Sequence, residues 1–172
     1  LKLASTSSDD FKAAQQGIFE VAQRNGQALA ATGTFYGRIA DSVRRMGKSS
    51  ADALGATEAV AASLKISGAT TAEAASAQLQ FAQALASGTL RGDELNSVLE
   101  ASPRLAKALA DGLRVPQGEL KNLGEEGKLT SKAILEALLT QKEALVGEAA
   151  SMELTIGQSL TNVRNAFTKT SG

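Results

Sequence analysis

The chain contains no cysteine and no histidine in 172 residues. That excludes disulfides, Cys/His zinc sites and every nucleophilic triad built on a thiol or an imidazole. Aromatic residues make up only 3%, and there are two prolines, Pro103 and Pro116, both placed where a helix would start. Runs of β-branched residues are few. No window approaches the ~18 consecutive apolar residues of a membrane span, and Leu1-Lys-Leu-Ala is too short for the apolar region of a signal peptide. Net charge is lacking too, since 18 basic side chains cancel 18 acidic ones. Residues 1–69 carry eight Lys/Arg and six Asp/Glu (+2), and residues 70–172 carry ten and twelve (−2). No global field steers the chain to nucleic acid or an anionic membrane.

What remains is helix. Apolar residues make up 43%, with alanine prominent among them; alanine favours helix but buries little area. The expected fold is all-α, with a long N-terminal helical arm over residues 1–68 and a compact multi-helix domain of short helices over 69–172. The chain opens on Leu1 rather than Met, as a piece of a longer protein would.

In the arm, Leu1-Lys-Leu-Ala-Ser-Thr alternates like a short strand or extended lead-in, and Ser8-Asp9-Asp10 supplies a cap for a helix from about Phe11. A heptad follows. Phe11, Ile18, Asn25, Thr32, Ile39 and Met46 form one row, and Ala14, Val21, Ala28, Phe35 and Ser42 the other. The seam spans roughly 35 residues, about 50 Å of helix. Two readings stay open: a hairpin folded back on residues 50–66, or a parallel coiled coil between identical chains with Asn25 and Thr32 fixing register. Gly17, Gly26, Gly33 and Gly37 weaken the seam. Arg44-Arg45-Met-Gly-Lys48 suits a solvated helix C-terminus. Ser49 or Ser50 then caps a second helix reaching about Ile66 and closed by Ser67-Gly68.

In the compact part, Thr70 and Glu73 form a capping box. The stretch from Ala84 to Ala106 is dense in helix punctuation. A helix ends at Ser87-Gly88, another starts behind Gly92-Asp93, and a third opens with Ser102 as N-cap and Pro103 at its first position. Gly112 is expected to close that third helix, and Pro116 to start a short one ending at Gly124 or Gly127. Gly127-Lys-Leu-Thr-Ser-Lys-Ala-Ile-Leu-Glu-Ala-Leu138 echoes Gly88-Thr-Leu-Arg-Gly-Asp-Glu-Leu-Asn-Ser-Val-Leu99. Each copy sets a Leu two residues after Gly, under a new helix start. A helix from Lys132 is expected to reach Ala149 or Ala150, with a possible interruption at Gly147. Thr155 would then cap a last helix presenting Ile156, Leu160, Val163 and Phe167 on one face.

Chemistry is sparse. Asp111, Glu119, Glu125 and Glu126 are the only grouped carboxylates considered for acid–base or metal work, and solvated helix faces explain them better. P-loop, dinucleotide, EF-hand and nucleophile-elbow patterns are absent. No catalytic, cofactor-binding or metal-binding residue is assigned, no cofactor is expected, and the chain is read as a non-enzyme. Residues 104–120 imitate a helix-turn-helix, but on the second helix Gln117, Lys121 and Asn122 stand against Glu119, Glu125 and Glu126, which phosphates repel.

Residues 70–169 resemble the tape measure domain of tailed phages and prophages. Leu85-Ala-Ser-Gly-Thr-Leu-Arg-Gly-Asp-Glu-Leu-Asn-Ser-Val-Leu-Glu100 carries the resemblance, followed by Pro103-Arg-Leu-Ala-Lys-Ala-Leu109, Gly118-Glu-Leu120, Glu126-Gly-Lys-Leu-Thr130 and Gly157-Gln-Ser-Leu-Thr-Asn-Val-Arg-Asn-Ala166. The resemblance implies an N-terminal segment of a long, multi-copy structural protein that scaffolds tail-tube assembly and sets tail length. It implies homo-oligomers, the tail-tube protein and tail assembly chaperones as partners, and location in the virion tail after assembly in the host cytoplasm. Nothing points to a small-molecule substrate, membrane contact or nucleic acid. Wholly helical, 172 residues span about 260 Å, so the ruler itself is expected downstream. The competing readings are a helix-turn-helix DNA-binding regulator and an orphan helical adaptor.

Overall fold

A computed structural model describes residues 8–171, with side chains over 8–153 and 161–168. The Leu1–Thr6 lead-in lies outside the described residues. Eight helices follow one another among those described: α1 (Ser8–Arg24), α2 (Leu29–Arg45), α3 (Ser50–Ile66), α4 (Thr71–Ala86), α5 (Gly92–Ala101), α6 (Pro103–Leu113), α7 (Glu119–Glu125) and α8 (Ser131–Ser171).

The long arm is not one helix. It is two helices of 17 residues, broken after Arg24. The break is chemical: Gly26 adopts φ +62°, its N–H bonds Gln23 O at 3.3 Å, and Gln27 N–H reaches back to Ala22 O at 2.9 Å. This is a Schellman closure, which satisfies the last carbonyls of α1 and reverses the chain. The seam residues then turn inward. Val21, Asn25, Thr32, Phe35, Ile39 and Ser42 are buried within the chain, while Phe11 is exposed. Asn25 and Thr32, read as register-setting, spend their side chains on Val21 O and Ala28 O of their own helices at 2.8 and 2.9 Å. This chain's own helices occupy the seam over residues 21–42.

α3 is the axis of the body. It packs against α1, α2, α4, α6 and α8. Its side chains from Ala53 to Leu64 are almost all buried, including Ala56, Ala59, Ala61 and Ala62. A helix apolar all round belongs inside, and small side chains let several neighbours approach it closely. The alanine content thus builds a crowded centre. One hydrophobic cluster runs from Phe35 through α3, α4, α5 and α6 to Ala149, so the core spans the Gly68 turn that separates residues 1–68 from 69–172. Phe35 and Phe81 stack with centroids 6.0 Å apart, joining α2 to α4.

Helix starts follow their caps. Ser49 with Asp52 and Thr70 with Glu73 form complete capping boxes. The Ser49 backbone N–H and hydroxyl hold the Asp52 carboxyl below the usual carboxylate range. At α6, Ser102 Oγ accepts from Leu105 N–H at 3.1 Å, and Ser67 Oγ from the end of α3 accepts from Arg104 N–H at 3.1 Å. The two hydroxyls lie 2.9 Å apart, so a serine pair joins α3 to α6.

Five helix ends share the Schellman pattern. Four use Gly26, Gly47, Gly68 and Gly127 in the left-handed region, and the fifth, after α6, uses Arg114 at φ +60°. A side chain in that region is disfavoured by about 1–2 kcal/mol. Arg114→Gly is expected to raise stability by about 0.5–1 kcal/mol after the entropy that glycine adds to the unfolded chain. Urea denaturation measures it, and an unchanged or lowered midpoint would contradict the strain.

Gly112 does not close α6, which runs on to Leu113. Nor is α8 interrupted at Gly147 or restarted at Thr155. It is one helix of 41 residues, about 60 Å long.

Candidate functional site

The stretch from Ala84 to Ala106 and its echo meet each other in space. Thr89 and Thr130 form an isolated antiparallel bridge. Leu90 N–H donates to Leu129 O at 2.8 Å, Ser131 N–H to Gly88 O at 2.9 Å, and Ser131 Oγ to Leu85 O. The two echoed leucines, Leu90 and Leu129, are fully buried beneath this pairing. Leu95 of α5 and Leu120 of α7 are buried too. Gly124 provides the notch they need: a Cβ there would stand 2.7 Å from Leu95 Cδ2 and 3.6 Å from Leu129 Cδ1.

The two corners differ in how the following helix is capped. Thr130 Oγ1 accepts from Ala133 N–H at 3.2 Å, capping α8. α5 has no side-chain cap, with Arg91 at its N-cap position and Asp93 and Glu94 exposed in its first turn. Asp93 is thus a first-turn charge, favourable to the helix dipole, rather than a cap.

The grouped carboxylates are spread over the surface. Asp111 pairs with Lys107 at 2.7 Å along α6, and Glu126 with Lys128 at 2.7 Å after α7. Glu119 and Glu125 are exposed on α7. Among the described residues no group of three or more His, Cys, Asp or Glu side chains could hold a metal. The helix-turn-helix imitation resolves into a corner. α6 is largely buried against α3 and α8, and α7 has seven residues with Leu120 and Gly124 turned inward. Its outward side presents Glu119, Lys121, Asn122 and Glu125, a surface that DNA phosphates would repel on balance.

The other organising feature is the exit of α8 from the body. Arg104 Nε meets Glu148 at 2.9 Å and Lys65 Nζ meets Glu153 at 2.5 Å. Described side chains from 161 to 168 are all exposed, Val163 at 67% and Phe167 at 74%. Ile156 and Leu160, read as part of the same face, lie outside the described side chains.

The family comparison fits a molecule organised by corners and a long helix rather than a pocket. A sequence profile described as Tape measure protein matches residues 1–172. The chain belongs to the tape measure protein family. Membership gives it a structural role in a phage tail, and the stretch from Leu85 to Glu100 lies at the paired corner of Thr89 and Thr130. No curated protein and no solved structure matches the chain. Among the described residues no helix of this tape measure chain is long and apolar enough to cross a membrane.

Proposed function

We propose that this tape measure family chain is the folded N-terminal segment of a protein that scaffolds tail-tube assembly and sets tail length. In this reading the helical body docks to the tail-tube protein and to tail assembly chaperones in the host cytoplasm, then remains in the virion tail. The observation that carries it is α8: a single helix starts in the core and continues with exposed side chains over 161–168. A rod that issues from a folded body can transmit length at 1.5 Å per residue. Multiple copies are part of the reading, and since the seam at residues 21–42 is occupied within the chain, copies that associate meet through other surfaces.

The test is an in-frame insertion of about 22 helical residues after Phe167 in a phage carrying the gene, with tail length read by electron microscopy. The expected tails are about 33 Å longer. Tails of unchanged length would show that α8 is not part of the ruler.

A further inference from the structure

Up to Ala149, α8 is held by its buried side chains Ile134, Leu135, Leu138, Leu145 and Ala149. Beyond Glu153 the composition favours helix only weakly. Residues 154–163 carry no charge, and residues 154–171 include four threonines, two asparagines and a glycine. These are weak helix formers, and a helix of such length and composition is marginal without an anchored end from which to propagate.

Lys65 anchors α8 at Glu153. Its Nζ, on a side chain only 20% exposed, meets Glu153 Oε1 and also donates to Arg24 O at 2.8 Å. Arg24 O belongs to the last residue of α1, one of the carbonyls that a helix leaves unsatisfied. The Arg24 guanidinium in turn pairs with Glu58 of α3 at 2.8 Å. One ammonium therefore ties the ends of α1 and α3 to α8 at the point where α8 departs, with the Arg104–Glu148 pair one turn earlier.

We infer that Lys65 is a latch that couples the folded body to the outgoing half of α8, holding residues 150–163 helical and in line with the core. It is a positioning residue whose effect is transmitted along a helix it touches once. Hydrogen exchange followed by mass spectrometry tests this on Lys65→Met, which keeps the stem, and on Glu153→Gln, which alters only a half-exposed acid. Exchange across residues 150–163 is expected to quicken roughly twofold to fivefold in each variant, with α2 and α4 unchanged. Should Lys65→Met loosen the whole body, Glu153→Gln alone decides. Wild-type exchange rates at 150–163 in Glu153→Gln would overturn the latch.

Discussion

Leu95→Asp is expected to abolish cooperative folding of the chain. Leu95 is 1% exposed and seats against the notch left by Gly124, beside the bridge that joins the two corners. The substitution removes a fully buried leucine, about 2–3 kcal/mol of transfer, and places a carboxylate among buried apolar side chains. Burying an unpaired charge adds several kcal/mol more. The sum, beyond about 5 kcal/mol, is comparable with the whole stability of a domain this size. Far-UV circular dichroism through a thermal scan measures it. Asp93→Asn, exposed and without a capping bond, is the control, and its melting is expected to stay within about 0.5 kcal/mol of wild type. A sharp, wild-type-like transition for the Leu95 variant would refute the corner as a structural centre.

Gly112→Ala is the second large effect, and its sign opposes the sequence rule. In a helix interior the exchange of glycine for alanine normally stabilises by about 1 kcal/mol. Here the added Cβ would lie 2.7 Å from Ala137 Cβ, 2.7 Å from Ala137 O and 2.8 Å from Ala137 Cα. Two of those three atoms are backbone, so no rotamer change relieves the contact, and α6 must move off α8. Overpacking of this kind costs about 1–3 kcal/mol or more, which outweighs the propensity gain. A net loss of about 1–2 kcal/mol is expected in urea denaturation; a gain would mean that the two helices separate freely.

Gly26, Gly112 and Arg114 show how far the sequence could be read. All-helical architecture, the Thr70–Glu73 capping box and the Ser102-Pro103 start were legible because each rests on local chemistry within one turn, whereas the Ser49–Asp52 box was not singled out. The two glycines look alike in one dimension, yet Gly26 stops a helix by taking a left-handed conformation and Gly112 lets two helices touch. Only tertiary packing separates these uses. Heptad spacing ran on through Gly26 because apolar periodicity survives a chain reversal when both helices face the same core. Arg114 carried no signal at all, since a left-handed arginine is unfavourable by itself and is held there by the closure around it. The echo of Gly88–Leu99 in Gly127–Leu138 was visible as a pattern, but that its two copies pair with each other was not, because pairing depends on how α6 and α7 return the chain.

That pairing has a consequence for how the chain can vary. Thr89 and Thr130 oppose each other across a bridge whose geometry sets their Cα atoms about 4.5 Å apart. The chain between them, α5 through α7, starts and ends at this one bridge and contributes Leu95, Leu105, Leu109 and Leu120 to the common core. Changes of length confined to its exposed turn at Gln117-Gly118 leave the end of α4 and the start of α8 where they are. The exposed turn between α6 and α7 is thus the tolerant point for insertion, while the helices themselves, with Leu95, Leu105 and Leu109 in the core that α3 and α8 share, are not.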